Sequence, residues 1–217
     1  EFCSRSPCAV VSVVYRLAPV HRFPPALHDC ADALAWRHEQ APRLGLDRQR
    51  VIFACDSVGA SLATTLATQA VHHSHEVAIR PMVQMLCYPM TDASRRSVSM
   101  ELFAEGYLLE SDTLEWFYTQ YANTPQDRED WRFSPLLTPN LAGVAPALVV
   151  LAEFDPLLDE GREYVARLQE QGVEVAVVEY EGLTHDLLRL RSVVAGIGEI
   201  HQALADRLRE MLDKQAR

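Results

Sequence analysis

The sequence predicts an α/β fold with a mostly parallel sheet and helices on both faces. Short apolar runs alternate along the chain with longer segments whose apolar residues recur at helical spacing. This alternation is typical of parallel strands joined by right-handed crossover helices. With 217 residues, 48% of them hydrophobic, the chain can bury one sizeable core, so we expect a single domain over residues 1–217.

Five apolar runs predict strands, and four segments with helical spacing predict helices. The first run, 9–14, is a continuous series of small and β-branched residues, as expected for a parallel strand covered on both faces. The predicted strands are 9–14, the run that begins at 51, 82–88, 147–152 and 173–180. The predicted helices are 26–40, 57–72, 156–171 and 190–215.

The charge of the chain limits its partners. The formal net charge is -10, which disfavours nucleic acid and anionic membrane surfaces, because both attract basic patches. No run of 18 apolar residues predicts a transmembrane segment. The sequence leaves the oligomeric state open.

Cysteine and histidine spacing gives no support for a metal or cofactor site. The five cysteines are scattered and form no C-x-x-C pair, so neither a disulfide framework nor a zinc site is indicated. Reduced, mostly buried thiols and a cytoplasmic location are expected. His72, His73 and His75 favour a solvated helix end over a metal site.

One serine lies at the tip of a predicted strand-turn-helix. The run from Val51 leads through Cys55, Ser57 and Gly59 into an Ala/Leu/Thr-rich helix. In the nucleophile elbow G-x-S-x-G, small neighbours let strand and helix approach while the serine stays exposed at the turn. Here the pattern is C-x-S-x-G, and alone it is also compatible with a phosphate-binding or purely structural turn.

An acid and a histidine follow later strands. Asp155 comes just after the strand 147–152, and His185 lies in the loop after the strand 173–180. Taken singly, Asp155 would be interpreted as a helix N-cap and His185 as a loop histidine. Together with Ser57 they follow the serine, acid, histidine order of α/β-hydrolases, and each follows a strand end. The three placements therefore predict a catalytic triad.

The chain also resembles the hormone-sensitive-lipase-like family of α/β-hydrolases, the bacterial family IV esterases. The resemblance implies that Ser57 is the nucleophile, His185 the general base and then acid, and Asp155 the carboxylate that orients the imidazole. It also implies short-to-medium-chain acyl esters as substrates and no cofactor. The matching stretches are Val-Val-Tyr-Arg-Leu-Ala-Pro at 13–19, Phe-Pro-Pro-Ala at 23–26, Asp-Ser-Val-Gly at 56–59, Gly-Tyr-Leu-Leu at 106–109, Ser-Pro-Leu-Leu at 134–137 and Phe-Asp-Pro-Leu at 154–157.

A polar, aromatic-rich segment separates the third and fourth predicted strands. We interpret residues 90–145 as an insertion that contributes to a cap and a pocket rather than as another sheet unit. Aromatic residues at helical spacing usually pack a core; the alternative is that some of them line an acyl pocket. The aromatic residues are Phe103, Tyr107, Trp116, Phe117, Tyr118, Tyr121, Trp131 and Phe133.

The sequence departs from the family pattern in three places. In the family's Gly-Asp-Ser-Ala-Gly-Gly motif, three small residues are replaced here by Cys55, Val58 and Ala60, which we expect to crowd the turn. The family's His-Gly-Phe motif is replaced by His185-Asp186-Leu187. The family's His-Gly-Gly-Gly motif, which supplies oxyanion-hole N–H groups, precedes the strand that matches 9–14 and is not in the sequence. We therefore expect that the N-terminal part is lacking and that the Val58 N–H is the oxyanion donor.

Two function classes follow. The first is a serine carboxylesterase that acts on short-to-medium-chain acyl esters. The second is a catalytically impaired fragment, or a non-catalytic small-molecule-binding relative of the same fold. The presence of His185 favours the enzyme. Because losing one oxyanion donor costs roughly 10²- to 10³-fold in kcat, the chain alone is expected to be poorly active. It is also expected to be prone to aggregate, because sheet positions without their usual neighbour expose apolar surface and unpaired backbone edges.

Overall fold

Four parallel strands form one sheet in the order β1-β2-β3-β4. The computed structural model describes residues 1–6, 8–77 and 79–216. The register places Leu86 beside Val149 and Val150 beside Val178. The predicted parallel sheet is thus confirmed. The strands are β1 (Ile52–Asp56), β2 (Val83–Cys87), β3 (Ala147–Phe154) and β4 (Val175–Thr184).

Helices connect and flank these strands. The α-helices are α1 (Phe2–Arg5), α2 (Pro25–Leu44), α3 (Val58–His72), α4 (Val98–Leu102), α5 (Ser111–Tyr121), α6 (Leu158–Glu170) and α7 (Ile197–Gln215). Short 3-10 helices cover Pro125–Glu129, Pro135–Leu137 and Leu187–Ser192. Among the described residues, no helix combines the length and the apolarity that a bilayer crossing needs.

The core lies on both faces of the sheet, because successive side chains of a strand point to opposite sides. Along β3, Val149 and Leu151 join the cluster that contains buried residues of α3 and α6. Leu148 and Val150, which alternate with them, join the cluster that contains buried residues of α7. Both faces of β3 are therefore covered by helices, which explains its unbroken apolar run.

The prediction of a strand at 9–14 was wrong. No residue of this segment is in a strand, and Val10 and Val14 are 61% and 96% exposed. A strand requires a hydrogen-bonded neighbour, and no described strand pairs with this segment. The outer edge of β1 is also unpaired within the described sheet, so β-branched composition alone did not produce a strand here.

The last predicted helix begins later than expected. Residues Leu187–Ser192 form a 3-10 helix, and α7 starts only after Gly196, whose φ is +87°. A φ in this region suits glycine and interrupts a right-handed helix. The apolar spacing from Leu190 onward therefore spans two elements rather than one.

The expectation of mostly buried thiols was also wrong. All five cysteines are unpaired, but Cys87 alone is buried; Cys3 and Cys55 are exposed, and Cys8 and Cys30 are half-buried. Cys55 lies on β1, the strand with an uncovered edge among the described residues. The missing neighbour explains its exposure.

Candidate active site

Ser57 occupies the sharp turn between β1 and α3. Its φ of 52° and ψ of -128° are unusual for a residue with a side chain and imply local strain, which clusters at functional sites. Its N–H donates to the Cys87 carbonyl at 2.9 Å, and its carbonyl accepts from the Ala60 N–H at 3.0 Å. The turn thus fixes Ser57 at the carboxyl end of the sheet.

Gly59 is required by the close approach of strand and helix. A Cβ at this position would lie 2.1 Å from the Cys55 Sγ and 3.1 Å from the Cys55 Cβ. The cysteine that replaces the first glycine of the motif therefore packs directly over the second. This contact explains how the C-x-S-x-G variant keeps the turn.

The three residues of the predicted triad come together in one hydrogen-bonded chain. His185 Nε2 lies 3.0 Å from Ser57 Oγ, and His185 Nδ1 lies 2.8 Å from Asp155 Oδ2. Because a carboxylate oxygen accepts, Nδ1 carries the proton of the neutral ring, and Nε2 is free to accept from the serine hydroxyl. Asp155 is 1% exposed and His185 5% exposed.

Asp155 is itself held by the helix that follows it. Its Oδ1 accepts from the Leu157 N–H at 2.9 Å, and its carbonyl accepts from the Leu158 N–H at 3.1 Å, at the start of α6. The N-cap interpretation of Asp155 was wrong, because the N-cap residue of α6 is Leu157 and no side chain caps this helix. Asp155 Oδ1 instead bonds to the N–H two residues later, while its Oδ2 contacts His185.

Val58 begins α3 directly after Ser57. The N–H groups of the first helical turn have no carbonyl one turn earlier to bond, and the positive end of the helix dipole lies at this end. The Val58 side chain is exposed. As the first residue of α3, Val58 thus has an N–H without an acceptor inside the helix, as the predicted oxyanion role requires.

Tyr88 supports the histidine ring and was missed by sequence reasoning. Its ring centroid lies 4.8 Å from that of His185, in an edge-to-face arrangement. Tyr88 is buried and has a φ of 37°. Burial raises the pKa of its phenol. A tyrosine at a strand end before a proline was the available signal, but the ring contact depends on the tertiary fold.

Charged residues flank the triad on the solvent side. Arg189 Nη2 lies 2.7 Å from Asp56 Oδ2, and Arg189 Nε lies 3.6 Å from Asp186 Oδ1. Asp56 precedes Ser57 and Asp186 follows His185. Asp186 was noted in the sequence as a departure from the family pattern, but Arg189, which pairs with its carboxylate, was missed.

The loop after β2 is fixed by a buried carboxylate. Glu160 Oε1 accepts from the Thr91 N–H at 2.5 Å and from the Asp92 N–H at 3.1 Å. The Ser61 hydroxyl donates to the Met90 carbonyl in the same loop. Burial raises the pKa of Glu160 well above its ordinary value. These contacts connect α3 and α6 through the loop that carries Tyr88.

Five of the eight aromatic residues of the 90–145 segment form two groups. Tyr118 and Tyr121 pack around Phe133 in the core. Phe103 and Tyr107 instead pack on Phe154, with ring centroids 5.7 and 5.4 Å away. Since Phe154 precedes Asp155, this second group lies next to the triad.

The histidine cluster lies at the C-terminal end of α3, and Ser57 is at the opposite end of that helix. The His73 ring stacks on Trp131 with centroids 5.8 Å apart, and His75 packs against His73. In the described part of the chain, no three His, Cys, Asp or Glu side chains come together as a group that could hold a metal ion.

Comparisons with known proteins identify the family. A family profile described as alpha/beta hydrolase fold matches residues 1–189. Ethyl acetate hydrolase of Pseudomonas putida is 49% identical over 185 residues, which are 85% of this chain and 58% of that protein. The carboxylic ester hydrolase LipN of Mycobacterium tuberculosis is 38% identical over 93% of this chain and 56% of its own length.

Solved structures agree with these matches. EstE1, a thermostable carboxylesterase cloned from a metagenomic library, superposes with a TM-score of 0.90 and 34% identity, over 97% of this chain and 71% of that one. The chain spans a little over half the length of the two curated relatives. It belongs to the α/β-hydrolase family, in the hormone-sensitive-lipase-like branch of ester hydrolases.

Proposed function

We propose that this protein is a serine carboxylesterase that cleaves short-to-medium-chain acyl esters through an acyl-enzyme. The observation that carries the proposal is the hydrogen-bonded chain in which His185 contacts Ser57 at 3.0 Å and Asp155 at 2.8 Å. A nucleophile, a base in reach of its proton, and an acid that orients the base form the arrangement needed for acyl transfer.

In the first half-reaction Ser57 Oγ attacks the ester carbonyl carbon. The hydroxyl proton passes to His185 Nε2, and Asp155 stabilises the imidazolium that forms. The tetrahedral intermediate collapses as the carbon–oxygen bond to the alcohol breaks and His185 returns the proton to the leaving oxygen. The acyl group remains esterified to Ser57.

In the second half-reaction water replaces the alcohol. His185 removes a proton from water, the hydroxide attacks the acyl carbonyl, and the proton returns to Ser57 Oγ as the carboxylic acid leaves. Charge on the carbonyl oxygen develops in both halves. We assign the Val58 N–H as one donor to that oxygen, because it follows Ser57 at the positive end of α3.

The proposed substrate class rests on two supports. The first is the similarity to the 49% identical relative, an ethyl acetate hydrolase. The second is the group formed by Phe103, Tyr107 and Phe154 beside Asp155, which would give an apolar wall to a short acyl or alcohol chain. In this proposal residues 90–145 are an insertion of a single domain, and part of it lines the substrate site.

The test is hydrolysis of p-nitrophenyl esters by the wild-type chain and by Ser57→Ala, His185→Ala and Asp155→Asn. We expect each triad substitution to lower kcat by roughly 10³-fold or more, because the three residues act as a unit. Ser74→Ala, in the exposed turn after α3, is the matched control and should retain the wild-type rate. Unchanged turnover in Ser57→Ala would contradict the assignment.

Acyl length is tested with acetate, butyrate, octanoate and palmitate esters. We expect kcat/KM to be highest for acetate or butyrate and to fall with longer chains. A preference for palmitate would contradict the proposed substrate class while leaving the triad assignment intact.

A further inference from the structure

An ionic bridge joins the two loops that carry Ser57 and His185. Arg189 contacts Asp56, the residue before Ser57, at 2.7 Å, and Asp186, the residue after His185, at 3.6 Å. We propose that Arg189 is a positioning residue of the proposed esterase. It holds the His185 loop against the Ser57 turn, and its positive charge compensates the Asp56 and Asp186 carboxylates. This inference rests on the proposed function.

The bridge spans a large distance in sequence but a short one in space. Asp56 ends β1, and Arg189 lies 133 residues later, in the 3-10 helix that follows His185. Within that loop the Arg189 N–H donates to the Asp186 carbonyl at 2.7 Å, and Asp186 has a φ of 61°. A shift of this short helix would therefore move the imidazole relative to the serine.

The ion pairs of Arg189 should contribute little to the stability of the fold. The Arg189 side chain is 67% exposed, and exposed ion pairs contribute little to folding stability. Both carboxylates are partly shielded from solvent, so their field at the neighbouring ring is less screened than that of fully exposed groups. A loss of Arg189 should thus affect the reaction more than the stability.

The polar and titratable groups around His185 come from several elements. β1 and its turn contribute Asp56 and Ser57, the loops after β2 and β3 contribute Tyr88 and Asp155, and the loop of His185 itself contributes Asp186 and Arg189. Burial raises the pKa of Tyr88, so the phenol stays neutral. The pKa of Arg189 is raised, first by Asp56 and then by Asp186, so the guanidinium stays charged.

The sign of the charge effect follows from this arrangement. Without Arg189, the Asp56 and Asp186 carboxylates, which are next to Ser57 and His185 in the chain, lose the cation that contacts both. Uncompensated negative charge near an imidazole favours the imidazolium. The imidazolium cannot accept the Ser57 proton. The acid limb of the pH–rate profile should therefore move to higher pH when the cation is removed and stay in place when it is kept.

The experiment compares Arg189→Gln, Arg189→Lys and Arg191→Gln at low salt, from about pH 5 to about pH 9, which covers the range in which an imidazole titrates. Arg191 is the matched control, because it lies in the same 3-10 helix, is exposed, and pairs with Glu1 instead. The assay is hydrolysis of p-nitrophenyl butyrate.

We expect Arg189→Gln to lose roughly tenfold in kcat with KM changed by less than about twofold, because misplacement affects the reacting geometry rather than ground-state binding. Its acid limb should move to higher pH. Arg189→Lys should restore the acid limb but not the full kcat, since an ammonium cannot bridge both carboxylates as the guanidinium does. Arg191→Gln should match the wild type.

The outcomes separate this inference from the proposed function. If turnover depends on Ser57 but Arg189→Gln matches Arg191→Gln in kcat and acid limb, the role of Arg189 is overturned and the esterase assignment stands. If no Ser57-dependent turnover occurs, the proposed function fails, and crystal structures of the same variants decide about Arg189. A distance from Ser57 Oγ to His185 Nε2 that stays at 3.0 Å in Arg189→Gln would overturn its positioning role; separation beyond hydrogen-bond distance would support it.

Discussion

At the scale of single residues, Cys55 and Gly59 form a closely packed pair under the turn that carries Ser57. A Cβ at Gly59 would approach the Cys55 Sγ to 2.1 Å, so Gly59→Ala should displace the turn and lower kcat/KM by at least about tenfold. The double variant Cys55→Gly with Gly59→Ala should recover most of that loss, because both clashing atoms are gone. The measurement is a double-mutant cycle on ester hydrolysis.

A matched control for this pair lies in α7. A Cβ at Gly198 would meet its nearest atom only at 3.8 Å, so Gly198→Ala should keep the wild-type rate. Equal losses for Gly59→Ala alone and for the double variant would show that the two residues are not coupled, and would contradict the packing argument.

Cys55 should not serve as the nucleophile, although it is exposed and lies two residues before Ser57. The residue as a whole is exposed, but its sulfur packs against Gly59. Desolvation of the sulfur raises the pKa of the thiol, and the neighbouring Asp56 carboxylate, 3.8 Å from Sγ, adds to this. A protonated thiol is a poor nucleophile. We expect Cys55→Gly to remain active; activity that is lost on iodoacetamide treatment of the wild type but not of Cys55→Gly would contradict this.

The positions of Ser57, Asp155 and His185 in the sequence were sufficient to predict that they lie close together, because each follows a strand and parallel strands end at one edge of the sheet. Tyr88 and Arg189 could not be found in the same way. The ring contact of Tyr88 and the ion pair of Arg189 depend on side-chain directions and on a loop conformation that no periodicity encodes.

At the scale of elements, Glu160 connects α6 to the loop after β2 and makes stability depend on pH. Burial raises the pKa of Glu160 well above 4.5, although two backbone N–H donors favour the charged form. The folded chain then keeps a proton that the unfolded chain releases. The resulting stabilisation is complete below pH 4.5 and is lost as the pH rises through the raised pKa of the folded state.

The free energy of unfolding of the wild type should therefore decrease as the pH rises above 4.5, and Glu160→Gln should remove this part of the decrease. Urea unfolding at several pH values measures it. Glu163→Gln, an exposed change on the same helix, should keep the wild-type slope. An equal slope in Glu160→Gln and Glu163→Gln would contradict the assignment to Glu160.

Composition alone does not decide whether a segment forms a strand. The β-branched run at 9–14 has the residues of a strand, but among the described residues it has no partner to pair with, and pairing is a property of the whole sheet. The runs of β2 and β3 contain a smaller share of β-branched residues, yet they form strands because a neighbour lies on each side.

At the scale of the whole molecule, the N-terminal segment and the edge of β1 expose apolar surface and backbone groups. Val10, Val14 and Leu17 are exposed, and unpaired edges associate with other chains. We predict that the 217-residue chain self-associates and that Val10→Lys with Val14→Lys reduces this. Sedimentation velocity measures the change.

The control for self-association is Val193→Lys, which adds one charge at an exposed valine on the short loop between the last 3-10 helix and α7. It should leave the sedimentation profile unchanged. A reduction as large as that of the N-terminal pair would indicate a general charge effect rather than association through the 9–14 segment.

The most direct test of the central claim is labelling of the chain by a fluorophosphonate, followed by peptide mass spectrometry. An activated serine reacts with such a probe, so we expect a single adduct on the peptide that contains Ser57, absent in Ser57→Ala and formed far more slowly in His185→Ala. The account would be contradicted if the adduct formed on another residue, or if His185→Ala were labelled as fast as the wild type.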